Sequence, residues 1–151
     1  KTCYTAHFFA DMIADKIGIP MVPLIRERAA SLASRCPGGV IGVMATDGTV
    51  RTGLYQKALE AQGLKPFLPP EEIQKEVMHQ IYDRVKRGLS YDGERWDRIE
   101  EAYRRGGCDA VVLACTELSV IKGDEGLGDW YVDPMETLAR KVIETAGKTY
   151  R

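Results

Sequence analysis

No C-x-x-C pair occurs among the four cysteines, Cys3, Cys36, Cys108 and Cys115, and only His7 and His79 are at hand to join them. That spacing excludes the usual zinc frameworks. Four cysteines in 151 residues are too sparse for a domain stapled by disulfides. With no charged n-region or apolar h-region at the start, free thiols in a reducing cytoplasm are expected. No apolar run approaches the roughly 20 residues that span a bilayer, so no membrane partner is expected. An excess of one charge is lacking too. The 21 basic residues meet 22 acidic ones, for a net charge of −1, which leaves no footprint for nucleic acid. Neither G-x-G-x-x-G nor G-x-x-x-x-G-K appears, which removes the dinucleotide and P-loop fingerprints. What remains is 44% hydrophobic and 28% charged, the balance of a globular domain whose partner is a small molecule or a protein. The chain opens on Lys1-Thr2-Cys3 without an initiator Met, inside what reads as an active-site loop. A missing N-terminal segment of the same protein is therefore expected.

Periodicity supplies the architecture. Phe9, Ile13 and Ile17 fall at helical spacing before Gly18, and a helix is expected over 26–35, ahead of Pro37-Gly38-Gly39. Val40–Ala45 (VIGVMA) is a continuous apolar run of strand length, as for a strand covered on both faces. After the turn Thr46-Asp47-Gly48-Thr49, one helix should run to about Gln62, closed by Gly63, with a short strand at Lys65–Leu68. Pro69-Pro70-Glu71-Glu72 opens a long helix, in which Ile73, Val77, Ile81 and Val85 recur every fourth residue. Trp96, Ile99 and Tyr103 form the stripe of the next helix. Ala110–Ala114 (AVVLA) is the clearest buried strand, and Cys115 follows it directly. Trp130–Val132 is a third strand, then Asp133-Pro134 leads into a terminal helix. Strands alternating with helices imply an α/β fold with a mostly parallel sheet. Function in such sheets collects beyond the carboxyl ends of the strands, where Thr46–Thr49, Cys115-Thr116-Glu117 and Asp133-Pro134 all fall.

Cys115 stands between a buried strand and a helix beginning at Thr116. A helix N-terminus favours thiolate, yet a cysteine there also reads as a small buried residue ending a strand. Cys3, in Cys3-Tyr4-Thr5-Ala6-His7, has the same layout, although by itself it is an ordinary terminal cysteine, and His7 reads best as a packing or capping residue. Ala45–Thr49 (ATDGT) offers backbone N–H groups and hydroxyls to an anion, or merely caps its helix. Cys36 and Cys108 read as structural.

Taken together and in order, Cys3-Tyr4-Thr5-Ala6-His7, Ala45-Thr46-Asp47-Gly48-Thr49 and Cys115-Thr116-Glu117-Leu118 resemble the aspartate/glutamate racemase family. Leu54-Tyr55-Gln56, Ile81-Tyr82 and Asp133-Pro134-Met135-Glu136 agree with it, so the resemblance spans nearly the whole chain. Glu117 after Cys115-Thr116 looks like the aspartate/glutamate branch, where cell-wall glutamate racemases usually carry His. The resemblance implies two similar α/β lobes with a cleft between them and one catalytic cysteine on each side. Residues 1–20 and 129–151 are then remnants of the first lobe, and residues 21–128 the second. It further implies a homodimer that needs no pyridoxal phosphate or metal. Cys3 and Cys115 match the two acid/base thiols. Tyr4, Thr5, Thr46, Thr49, Thr116 and Glu117 match substrate-binding positions, and Lys86 matches a lysine that helps bind an acidic side chain.

Two departures accompany the match. Tyr4 replaces the usual Asn of the first motif, putting a bulky phenol where an amide is expected. Members are also about half as long again, with the additional part N-terminal. Two other functions share this frame. One is a related enzyme of the hydantoin racemase, maleate isomerase or arylmalonate decarboxylase type. The other is an amino-acid-binding protein without catalysis, prompted by Tyr4.

Overall fold

The computed structural model describes residues 24–145 and 147; Cys3, Tyr4, Thr5 and His7 lie outside the described residues. Four strands form one parallel sheet in the order β2-β1-β3-β4. They are β1 (Val40–Ala45), β2 (Lys65–Phe67), β3 (Ala110–Ala114) and β4 (Tyr131–Val132). Both central strands are apolar throughout because both of their faces are covered. Parity divides the core into two halves. Ile41, Val43 and Ala45 of β1, with Ala110, Val112 and Ala114 of β3, pack on one side. There they meet α1 (Leu24–Arg35) through Leu24, Ala29 and Leu32, and α3 (Leu54–Glu60) through Tyr55 and Leu59. Met44, Val111, Leu113 and Cys115 face the other side. They pack on Val77 of α4 (Glu71–His79), on Trp96, Ile99 and Tyr103 of α5 (Gly93–Arg105), and on Leu118 and Ile121 of α6 (Thr116–Glu125).

β4 adds to the same sheet, with Val111 and Val112 opposite Tyr131 and Val132, beyond the lobe boundary expected at residue 128. From it the chain enters α7 (Pro134–Thr145), whose Met135 and Leu138 pack against the first core half. Among the described residues, no helix is long and apolar enough to cross a membrane.

Two elements differ from expectation. The single helix expected after Thr46 is two, α2 (Asp47–Thr52) and α3, broken at Gly53, whose φ of 67° only glycine adopts cheaply. The long helix from Glu71 is α-helical only to His79. It then widens into a π turn at Gln80–Arg84, tightens at Val85–Arg87 and stops at Gly88. A strict four-residue stripe over-rotates by about 40° per step on a 3.6-residue helix, and the wider turn takes up that drift. Gln80, fully buried, clamps the loop beyond it. Its amide donates to the Asp92 carbonyl (2.6 Å) and accepts from the Asp92 N–H (2.9 Å).

Candidate active site

The site stands at the carboxyl edge of the sheet, where β1 and β3 end side by side. Thr46 follows β1 in extended backbone and is the N-cap of α2; its hydroxyl accepts from the Thr49 N–H at 3.3 Å. The Thr46 and Thr49 hydroxyls are 3.2 Å apart, and Thr49 is buried. Gln74 on α4 holds this turn in place. Its amide nitrogen donates to the Ala45 carbonyl (2.9 Å) and to Asp47 Oδ1 (2.8 Å). The sequence held no sign of that role, because it exists only once α4 packs across the end of β1.

Cys115 follows β3 and is the N-cap of α6, with φ −150° and ψ 137°. Its Sγ donates to Glu117 Oε2 at 2.8 Å, and the same oxygen accepts from Thr116 Oγ1 at 3.0 Å. Lys86, carried on the tight turn before Gly88, brings its Nζ to 3.9 Å from Glu117 Oε1 and lies 3.9 Å from the centroid of the Tyr82 ring. Thus Cys115, Thr116, Glu117 and Lys86 form one cluster, beside the Thr46–Thr49 turn. Tyr82 joins it as the platform beneath the lysine, at a four-residue spacing that was visible in the sequence.

A helix terminus by itself favours thiolate, but the surroundings of this sulfur on balance act against it. Burial first, and then the Glu117 carboxylate that receives its hydrogen, push the Cys115 thiol up to about 12. The Glu117 backbone N–H and Lys86 act in the opposite direction and are outweighed. Burial works to raise the Glu117 carboxyl as well. The hydrogen bonds it accepts from Cys115, its own N–H and Thr116, together with Lys86, reverse that and hold it below the usual carboxylate range. The first-turn N–H of Glu117 favours the anion at both groups, and only at the carboxylate do the favourable contacts outweigh burial.

The third loop closes the edge. Asp133 Oδ1 accepts from the Met135 N–H (2.8 Å), capping α7, and from Ser119 Oγ of α6 (2.9 Å). Arg28 of α1 donates to the Asp133 carbonyl at 2.6 Å. Among the described residues no group of three or more His, Cys, Asp or Glu side chains could hold a metal ion. Chemically, the edge offers a protonated thiol in contact with a carboxylate, a half-exposed ammonium, and a turn of hydroxyls and N–H groups suited to an anion.

Comparison with known proteins agrees with the motifs. The profile of the Asp/Glu/hydantoin racemase family matches residues 2–142. A glutamate racemase of Geobacter metallireducens is 29% identical over 151 aligned positions, covering 94% of this chain and 54% of that protein. The structure of an aspartate racemase homologue from Pyrococcus horikoshii superposes with a TM-score of 0.75 at 25% identity, covering 95% of this chain and 64% of the other. An aspartate racemase of Picrophilus torridus shares the fold, with a TM-score of 0.70 at 24% identity and coverages of 99% and 62%. The chain therefore spans between 54% and 64% of the length of these three relatives.

Proposed function

This chain belongs to the Asp/Glu/hydantoin racemase family, and from that membership we propose that it serves a cofactor-independent amino-acid racemase of the aspartate/glutamate type, with Cys3 and Cys115 as its two acid/base thiols. The observation that carries the reading is the placement of Cys115. It caps a helix at the end of a central parallel strand, in hydrogen-bond contact with Glu117 and beside the Thr46–Thr49 turn. Inverting an amino acid requires removal of the α-proton on one face and delivery of a proton to the other. One sulfur acts as base while the opposite thiol acts as acid, and the roles exchange for the other enantiomer.

The α-C–H is a weak acid, and the proposed site has no pyridoxal phosphate to spread the carbanion's charge. Preorganised donors must do it instead. The N–H groups and hydroxyls of the Cys115-Thr116 and Thr46–Thr49 turns supply them, and Tyr4 and Thr5 complete the set in this reading. Lys86 offers the positive charge for an acidic side chain. A homodimer is the working assembly this reading implies.

The test is made on the protein that carries this chain, with each enantiomer of aspartate and glutamate in D₂O. Chirality is followed by chiral chromatography and α-deuteration by mass spectrometry. Racemisation with solvent deuterium is expected for at least one pair. Cys115→Ser and Cys3→Ser should each lose about 10²–10⁴-fold in racemisation, while one enantiomer still exchanges its α-proton. Normal racemisation by both single variants would remove the two-thiol scheme.

A further inference from the structure

We infer that Glu117 is a positioning residue for Cys115: its carboxylate receives the thiol hydrogen, fixes the direction of the S–H bond and keeps sulfur protonated at rest, with Lys86 as the counterweight. The inference rests on the acid/base role proposed for Cys115 and adds the state in which that thiol begins.

The described polar groups around the carboxylate point the same way. Oε2 takes hydrogens from both Cys115 Sγ and Thr116 Oγ1, at 2.8 and 3.0 Å. The threonine thereby fixes the carboxylate while the carboxylate fixes the thiol. Oε1 faces the Lys86 ammonium, and the lysine stem is held over the Tyr82 ring. Glu117 lies in the first turn of α6, where a negative charge is favoured by the unpaired N–H groups. Two anions cannot both persist at 2.8 Å in a half-buried pocket, so one of the pair keeps a proton. Glu117 has the better claim to the charge, since it has three favourable contacts and sulfur is the more buried. Among the described residues, the groups that bear on the sulfur are Glu117 from its own helix and Lys86 from the tight turn packed against it.

A definite order of events follows. Cys115 enters the cycle as the acid, so the enantiomer whose α-hydrogen faces the opposite sulfur is processed directly. For the other enantiomer, the proton must first pass from Cys115 Sγ to Glu117 Oε2, leaving a thiolate and a neutral carboxyl. The opposite sulfur, a base in the first direction, must also take up a proton from solvent water, so that it can serve as the acid.

Alkylation by iodoacetamide, read at Cys115 by peptide mapping between pH 7 and 11, tests the pairing without any turnover. Glu117→Gln keeps the size and removes the charge. Its profile should move to lower pH, with Cys115 alkylated about tenfold faster at pH 9, since each unit is a tenfold change in thiolate. Lys86→Met should move it the other way and slow the reaction several-fold. Loss of structure would speed both variants, so opposite signs cannot come from unfolding. A Glu117→Gln profile that overlays the parent's, or two variants shifting together, overturns the inference. A shifted profile in a protein that exchanges no α-proton would sink the racemase reading and leave the pairing standing; exchange with an unshifted profile would do the reverse.

Discussion

Ala45 and Ala114 stand opposite one another in the last rung of the β1–β3 ladder. The two residues that follow, Thr46 and Cys115, therefore leave the sheet at the same height, and each is the N-cap of the next helix. They also share pleat parity with Met44 and Leu113, on the side covered by α4, α5 and α6. Register alone thus sets the Thr46–Thr49 turn beside a thiol, at the edge where parallel sheets collect their ligands. β4 ends earlier, opposite Val112, and its Asp133 reaches the same edge through Ser119.

That register depends on a close approach deeper in the sheet. A Cβ on Gly42 would lie 2.5 Å from Tyr103 Cδ1 and 3.0 Å from Val111 Cγ2. Tyr103 is fully buried, and its hydroxyl donates to the Val43 carbonyl, so the ring cannot withdraw without losing that bond. Gly42→Ala should cost about 1–3 kcal/mol by overpacking. Urea unfolding would show a lower midpoint at unchanged slope; an unchanged midpoint would mean that the Tyr103 ring yields to the added methyl without cost.

The loop after β4 should respond more mildly. Asp133→Ala removes the cap of α7 and the partner of Ser119 together, for an expected loss of about 1–2 kcal/mol. Ser119→Ala leaves the cap intact and should cost about 1 kcal/mol or less. Thermal melts of the two variants check the order. Equal losses would show that the side-chain bridge, rather than the cap, carries the effect.

Burial at the second core half also shapes the pH dependence. Cys115 is pushed up to about 12 and Cys108 to about 11, from an ordinary value of 9.0, and Tyr131 is raised as well. Burial is the first cause in each. In the unfolded chain these groups lose protons earlier than in the folded one. Their contribution is therefore complete below about pH 9 and is lost as pH rises towards the folded values. Stability should fall steeply between pH 9 and 12, and Cys115→Ala should make that fall shallower. Urea midpoints across this range measure it; parallel slopes for parent and variant would refute the assignment to Cys115.

The sequence was most legible where burial is complete. Val40–Ala45 and Ala110–Ala114 appear with the bounds their apolar runs indicate, because strands covered on both faces carry no polar residue to blur them. The stripe of Trp96, Ile99 and Tyr103 is buried as its spacing requires. The loops that gather at the sheet edge were readable for the same reason, since each directly follows a strand. Local spacing could not give the break at Gly53 or the π turn at Gln80–Arg84, which answer to packing. Nor could it give the raised thiol of Cys115, which comes first from burial and then from the carboxylate two residues away. Gln74 was invisible because its two acceptors lie 29 and 27 residues back along the chain.

Gln74 permits a sharper test than deletion. Its Nε2 donates to two oxygens, the Ala45 carbonyl and Asp47 Oδ1. Gln74→Ala removes both bonds and should cost about 1 kcal/mol. Gln74→Glu is nearly the same shape but places a carboxylate against two acceptors, one of them charged. Its cost at neutral pH should exceed that of alanine, at about 2 kcal/mol or more. Below the ordinary glutamate value of about 4.3, the introduced side chain regains a hydrogen to donate. The gap between Gln74→Glu and the parent should then narrow as pH falls from 6 to 4, while the gap for Gln74→Ala stays constant. Paired urea midpoints at these pH values decide the matter: a glutamate variant that tracks the alanine variant throughout would show that the amide does not hold the turn.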